Sequence, residues 1–182
     1  MVTIRHERIA DIAAREALLD EAFGIGREAK TAERLREDRL PADGLSFIAT
    51  DRGSVVGTVR LWHIAPAHGQ PALLLGPLAV ASTHRGRGIG AMLMLRALRE
   101  AQRRGHAAVL LVGDAPYYGR FGFSAQKTGA LRLPGPHERH RLLGYELIPG
   151  ALDGARGLLR GTGVRVPMPA LPASTAAGAR AA

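Results

Sequence analysis

The stretch from Leu73 to Phe123 does most to limit what this chain can become. It reads as a strand, a glycine-rich turn, an amphipathic helix, a second strand and an aromatic–glycine motif. At its centre stands Thr83-His84-Arg85-Gly86-Arg87-Gly88-Ile89-Gly90, with three glycines in five positions. Glycine lets the backbone take positive φ and come close to a ligand. The turn opens onto a helix start, where unpaired N–H groups and the positive dipole end attract anions. A phosphate or pyrophosphate is the ligand such a turn suits.

Around this centre the pattern is mixed. Val2 to His6 alternates as a short strand, and Ile9 to Phe23 has helical spacing, with Ile9, Ile12, Ala13, Leu18, Leu19 and Ala22 as its apolar set. Gly24-Ile25-Gly26 breaks that helix. Ala29 to Arg39 is a second, polar helix ended by Pro41. Leu45 to Thr50 and Ser54 to Ile64 form a hairpin about Asp51-Arg52-Gly53. Pro71 to Val80 is an apolar strand interrupted by Gly76-Pro77, where a missing ladder donor predicts a bulge or a parting of strands.

The helix from Ile89 to Arg104 is expected to bury Ile89, Met92, Leu93, Leu95, Ala97 and Ala101, with Gly105 as its C-cap. Ala107 to Val112 is apolar throughout and reads as a central strand. Ala130 to Leu133 and Leu142 to Ile148 are two further strands, separated by a polar loop. Residues 1–166 are expected to form one domain. Residues 167–182 offer little to bury and read as a disordered tail.

Composition excludes more than it assigns. Of 182 residues, 46% are hydrophobic, enough for a core. There is no cysteine, so thiolate chemistry and a thiol acyl-enzyme are excluded, and a cytoplasmic setting is the expectation. Residues 1–7 lack the apolar region of a signal peptide, and no apolar run approaches the ~20 residues that cross a bilayer. The net charge of +9 suits an anionic ligand. With aromatics at 4% there are too few rings for a single-strand nucleic-acid platform, so nucleic acid is not an expected partner. The Arg-, Ala- and Gly-rich usage is bacterial-like. The seven histidines show no metal-ligand spacing, so no metal is expected.

The glycine turn admits three readings. Gly86-Arg87-Gly88-Ile89-Gly90-Ala91 satisfies the loose dinucleotide pattern, with Asp114 ending the next strand. Against it, the polar segment Ala81 to Arg85 separates strand from turn, and little alternating helix and strand follows Asp114. A plain tight turn is the second reading. A P-loop is excluded, because no Lys-Ser or Lys-Thr follows the glycines.

The third reading is a resemblance. Arg85-Gly86-Arg87-Gly88-Ile89-Gly90 matches the Q/R-x-x-G-x-G/A signature of the GNAT family of N-acetyltransferases. Tyr118, four residues before Gly122-Phe123, is similar to that family's next motif, and Leu75-Gly76-Pro77-Leu78-Ala79-Val80 resembles its bulged strand. The resemblance covers roughly residues 2 to 150 and implies an α+β fold with a mixed, mostly antiparallel sheet flanked by helices.

It also implies acetyl-CoA as co-substrate and direct acetyl transfer to the amine of a small-molecule or peptide acceptor. The backbone of Arg85, Gly86, Arg87, Gly88, Ile89 and Gly90 would hold the pyrophosphate, with charge added by Arg85 and Arg87. Leu78, Ala79 and Val80 would pair with the pantetheine arm. Tyr118 would be the general acid, and Tyr117 would pack against the sheet. Asp114 replaces an Asn common in the family. For the base, Glu33 or Glu37 through water, or His63, are the candidates. An NAD-dependent oxidoreductase and a non-catalytic acyl-CoA or nucleic-acid binding module are the alternatives, and a homodimer is left open.

Overall fold

A computed structural model describes residues 1–27 and 30–167. Among the described residues, nine strands and three helices follow one another as β1 (Val2–His6), α1 (Ile12–Phe23), β2 (Ser46–Asp51), β3 (Ser54–Ala65), β4 (Ala72–Val80), α2 (Ile89–Arg103), β5 (Ala108–Val112), α3 (Ala115–Gly119), β6 (Leu131–Arg132), β7 (Leu142–Glu146), β8 (Gly157–Leu158) and β9 (Arg160–Gly161). The main sheet has seven strands in the order β1-β2-β3-β4-β5-β7, with β9 on β3; β6 and β8 pair separately. Only β4 and β5 run parallel within it. A dinucleotide fold is built on a mostly parallel sheet, which this one is not, so that alternative does not hold.

The hairpin between β2 and β3 turns on Arg52 and Gly53, both at positive φ as a type I′ turn requires. β3 and β4 pair with Val59 opposite Leu78 but Leu61 opposite Leu75. One residue of β3 therefore faces Gly76 and Pro77 together, which is the predicted bulge. The carbonyl of Gly76 accepts a 2.6 Å bond from Trp62 Nε1. β4 meets β5 only at Leu73–Val109 and Leu74–Leu110. Beyond those two pairs the strands part.

Helix α2 lies over this region and buries Ile89, Leu93, Met94, Ala97, Leu98 and Ala101. Met92 and Leu95, expected inside, are exposed. At about 100° per residue they fall outside the arc that runs from Ile89 to Leu98. Helix α1 starts late: Ile9–Asp11 forms a 3₁₀ turn, Ile9 and Ile12 are exposed, and Leu18 and Leu19 pack with Ala79.

The expected helix from Ala29 to Arg39 is replaced, within the described residues, by a 3₁₀ turn over Thr31–Leu35; Ala29 itself lies outside them. Asp38 at positive φ and the following Pro41 stop further winding. The last two expected strands shorten to β6 and β7. The chain past Ile148, for which no strand was expected, supplies β8 and β9. Of the expected tail, Pro167 is described and residues 168–182 lie outside the described residues.

Candidate functional site

The glycine turn is as open as its sequence implies. Gly86 and Gly88 sit at φ 76° and 75°, and a Cβ added at either would meet nothing within 4 Å. Arg85, Gly86, Arg87 and Gly88 are exposed. Gly88 is the N-cap of α2, and no side chain caps that end, so its first-turn amides have no protein side chain upon them. Ile89 offers only its backbone, because its side chain is in the core. Gly90 faces the cleft, and there a Cβ would stand 2.9 Å from the Tyr117 hydroxyl. Arg87 is half-exposed, 3.9 Å from Asp51.

Where β4 and β5 part, a cavity of about 1100 Å³ opens. One wall is β4 from Leu74 to Leu78, together with Val80; the other is Val112, Gly113, Asp114, Tyr117 and Tyr118. Strand alternation turns Leu78 and Val80 toward the cleft and Ala79 away, against Leu18 and Leu19. Asp114 N-caps α3, its Oδ2 accepting from Tyr117 N at 3.3 Å. That short helix presents both tyrosines to the cleft. Tyr117 was expected against the sheet; instead its ring stacks edge-on with Tyr118 at 4.9 Å and its hydroxyl reaches the first turn of α2.

Tyr118 is half-buried, its ring pressed on Gly113, where a Cβ would clash at 2.2 Å. Burial, with Tyr117 close by, pushes its phenol up to about 12. The hydroxyl is thus a donor across the whole neutral range.

The far end of the cavity is closed by two segments about a hundred residues apart. Thr31 Oγ1 donates to Pro136 O at 2.6 Å and Arg34 Nη1 to Pro134 O at 2.7 Å, clamping the 3₁₀ turn to the loop between β6 and β7. This junction brings Arg27, Lys30, Glu33 and Arg36 together with His137, Glu138 and Arg141. Arg27 is taken up by Asp20 and Glu16. Lys30 lies over the Phe23 ring at 4.6 Å. Arg141 Nε donates to Gly113 O at 3.4 Å.

His137 Nδ1 is 3.1 Å from Gly135 O. A carbonyl only accepts, so Nδ1 carries a hydrogen; Nε2 is buried and without a partner among the described residues.

Of the three candidate bases, Glu33 reaches the cavity, where Arg36 Nη2 holds it at 2.6 Å. Glu37 is exposed outside it. His63 points elsewhere, paired with His106 at 5.5 Å. Among the described residues no group of three His, Asp or Glu could hold a metal ion, and no helix is long and apolar enough to cross a membrane. Sequence reasoning passed over Arg36, Lys30, His137 and Arg141, which carry no motif.

Comparison with known proteins agrees with this geometry. Residues 12–123 match the model of the acetyltransferase (GNAT) family. The chain is 35% identical over 159 residues to the uncharacterized N-acetyltransferase YhbS of Escherichia coli, covering 86% of this chain and 93% of that protein. The crystal structure of YhbS in complex with CoA superposes with a TM-score of 0.75 at 32% identity, over 88% of this chain and 89% of that one. A GNAT family acetyltransferase from Brucella melitensis in complex with acetyl-CoA gives a TM-score of 0.58 at 27% identity, over 80% and 96%.

Proposed function

Since this chain belongs to the acetyltransferase (GNAT) family, we propose that it transfers the acetyl group of acetyl-CoA to the amine of a small acceptor by direct attack within a ternary complex. The observation that carries this is the continuous path from the open Arg85–Gly90 turn, along the unpaired edge of β4, to Tyr118 and the charged end of the cavity. The pyrophosphate lies on the amides of the turn. The pantetheine arm takes the place of a strand beside Leu78, Ala79 and Val80. The thioester enters where β4 and β5 diverge.

The acceptor nitrogen attacks the thioester carbonyl carbon, the C–S bond breaks, and CoA departs as a thiolate. Tyr118 stands on that side of the cleft. A phenol at about 12 is a weaker acid than a thiol at ~8.5. Its contribution is a hydrogen bond that steadies the negative charge developing on the leaving sulfur, without giving up its own proton. The proton the amine loses balances the one the thiolate gains. Glu33, the one candidate base in the cavity, is engaged by Arg36 and is poorly suited to that task. The acceptor accordingly sheds its ammonium proton to water before it attacks, and the second proton, released from nitrogen as the amide forms, is the one the thiolate takes up.

Residues 1–166 act as the domain, in a cytoplasmic setting that a chain without cysteine suits. The test is calorimetry with acetyl-CoA, then mass analysis of amines incubated with both. A ligand at ~100 times its dissociation constant should add ~2.7 kcal/mol of stability. No stabilisation by acetyl-CoA would overturn the reading.

A further inference from the structure

Arg36 is the least expected residue in the cleft. Its side chain is 8% exposed, yet its Nε has no acceptor among the described residues. Buried guanidinium hydrogens are nearly always satisfied, because an unmet donor costs free energy. One nitrogen, Nη2, is met by Glu33. Nη1 leans toward the bulge, 3.9 Å from where a Gly76 Cβ would stand. Burial depresses the Arg36 pKa, with Glu33 opposing and Arg27 adding to the effect. A guanidinium here is short of negative charge, and it sits over the point where the thioester is read to enter.

The surroundings point the same way. Lys30 has an aromatic ring and no ion-pair partner among the described residues, and Arg141 bonds a carbonyl. Glu33 already serves Arg36, Glu138 is exposed beside His140, and Asp114 caps α3. Positive charge is in surplus at this end of the cavity, with Lys30, Arg36 and Arg141 set against Glu33, and the acceptor is the partner left to supply an anion. The coenzyme phosphates are not the answer, since the turn that suits them is at the other end, by α2.

We infer that the acceptor is an amine bearing a carboxylate close to its nitrogen, an amino acid in class, and that Arg36 receives the carboxylate at the Gly76-Pro77 bulge while the amine faces the thioester. This rests on the acetyl-transfer reading above. With Nη2 held by Glu33, the Arg36 plane is fixed and Nη1 offers a carboxylate at the bulge one directed, charge-assisted donor, which a freely rotating lysine ammonium does not. Arg36 is thereby a specificity-determining residue.

The experiment measures release of CoA from acetyl-CoA with free amino acids, each set against its carboxamide and its decarboxylated amine. At least one acid should be used with kcat/KM tenfold or more above both neutral partners. Arg36→Gln should reduce that preference toward unity, mainly through KM, and Arg36→Lys should restore part of it. Acetyl-CoA affinity should be unchanged in both variants, which a general loss of structure would not allow. Should Arg36→Gln not fold, the comparison in the unaltered protein decides alone. Amides or amines used as well as the acids would overturn the proposal. So would rates with none of the three, and calorimetry then separates the cases: tight acetyl-CoA binding leaves the acetyltransferase standing, and its absence removes both.

Discussion

Along β4 and at Gly90 the cleft offers an unpaired strand edge with apolar side chains and an open glycine turn beyond it, whereas its far end is walled by long charged side chains. The first wall is continuous in sequence, from Leu74 to Gly90. The second joins the Thr31–Leu35 turn to Pro134 and Pro136 across about a hundred residues. A backbone wall can recognise only what every substrate presents in common, here a phosphate chain and an extended amide arm. A side-chain wall can be rewritten by point substitutions without moving a strand. On the function proposed above, the shared coenzyme falls to one wall and the particular acceptor to the other.

The largest expected effect falls on the backbone wall. Gly88→Asp places a carboxylate where the pyrophosphate is read to lie, on a residue at φ 75°. Acetyl-CoA binding should disappear from calorimetry while the far-ultraviolet circular dichroism stays native, since a side chain there meets no neighbour within 4 Å. Undiminished affinity would detach the turn from the coenzyme.

Tyr118→Phe comes next. It removes a hydroxyl and keeps the ring on Gly113. Turnover should fall by ~10²–10⁴, with acetyl-CoA affinity little altered. Tyr117→Phe should be far milder, and equal small losses in both would refute the role given to Tyr118. A pH experiment sharpens this. An unfolded chain releases a tyrosine proton near ~10, the folded protein holds that of Tyr118 to about 12. Below the lower value both states keep the proton and nothing is lost. Between the two the unfolded state has released it and the folded state has not, so rising pH draws the chain toward unfolding. The loss should approach about 2–3 kcal/mol near the upper value. It should be absent from Tyr118→Phe in denaturant titrations at alkaline pH.

The two walls were also unequally legible. Glycine at positive φ, an apolar strand broken by Gly76-Pro77, and a helix opening on a glycine all leave local marks, because backbone geometry constrains residue type directly. Those marks located β4, the bulge, the turn and α2 almost to the residue. Arg36 left none. An arginine in a polar stretch reads as surface, and only the docking of the 3₁₀ turn against the β6–β7 loop buries it. The misplaced members of α2 have another cause: Met92 and Leu95 are apolar but sit on the wrong arc, and composition without phase does not separate them from Met94 and Leu98.

A smaller effect tests the junction between α2 and α3. Gly90→Ala should gain up to ~1 kcal/mol of helix propensity. Part of that gain should be offset by the Tyr117 hydroxyl, which a Cβ would meet at 2.9 Å and which must move aside. Removing that oxygen as well, in Gly90→Ala with Tyr117→Phe, should recover the melting temperature beyond that of Gly90→Ala alone. Additive effects would mean that the two groups do not meet.

The smallest effect is expected at the end of the chain, and it separates the walls once more. Backbone bonds Leu40 N to Val164 O and Val166 N to Asp38 O, both 2.8 Å, tie residues 164–166 to the segment after Arg36. Gly161 of β9 lies against Leu35, so closely that a Cβ would stand 2.3 Å from the Leu35 carbonyl oxygen. The last strand therefore braces the 3₁₀ turn that carries the acceptor wall. Residues 167–182 are poor in large apolar side chains, with Met168 and Leu171 the exceptions. Ending the chain after Val166 should leave melting temperature, acetyl-CoA affinity and turnover as they are. Ending it after Leu159 should remove the brace. Acceptor KM should then rise severalfold, while acetyl-CoA affinity, which is proposed to rest on β4 and the glycine turn, stays within twofold. A parallel loss of both would show that the two walls are one mechanical unit, and the division of labour between them would not survive.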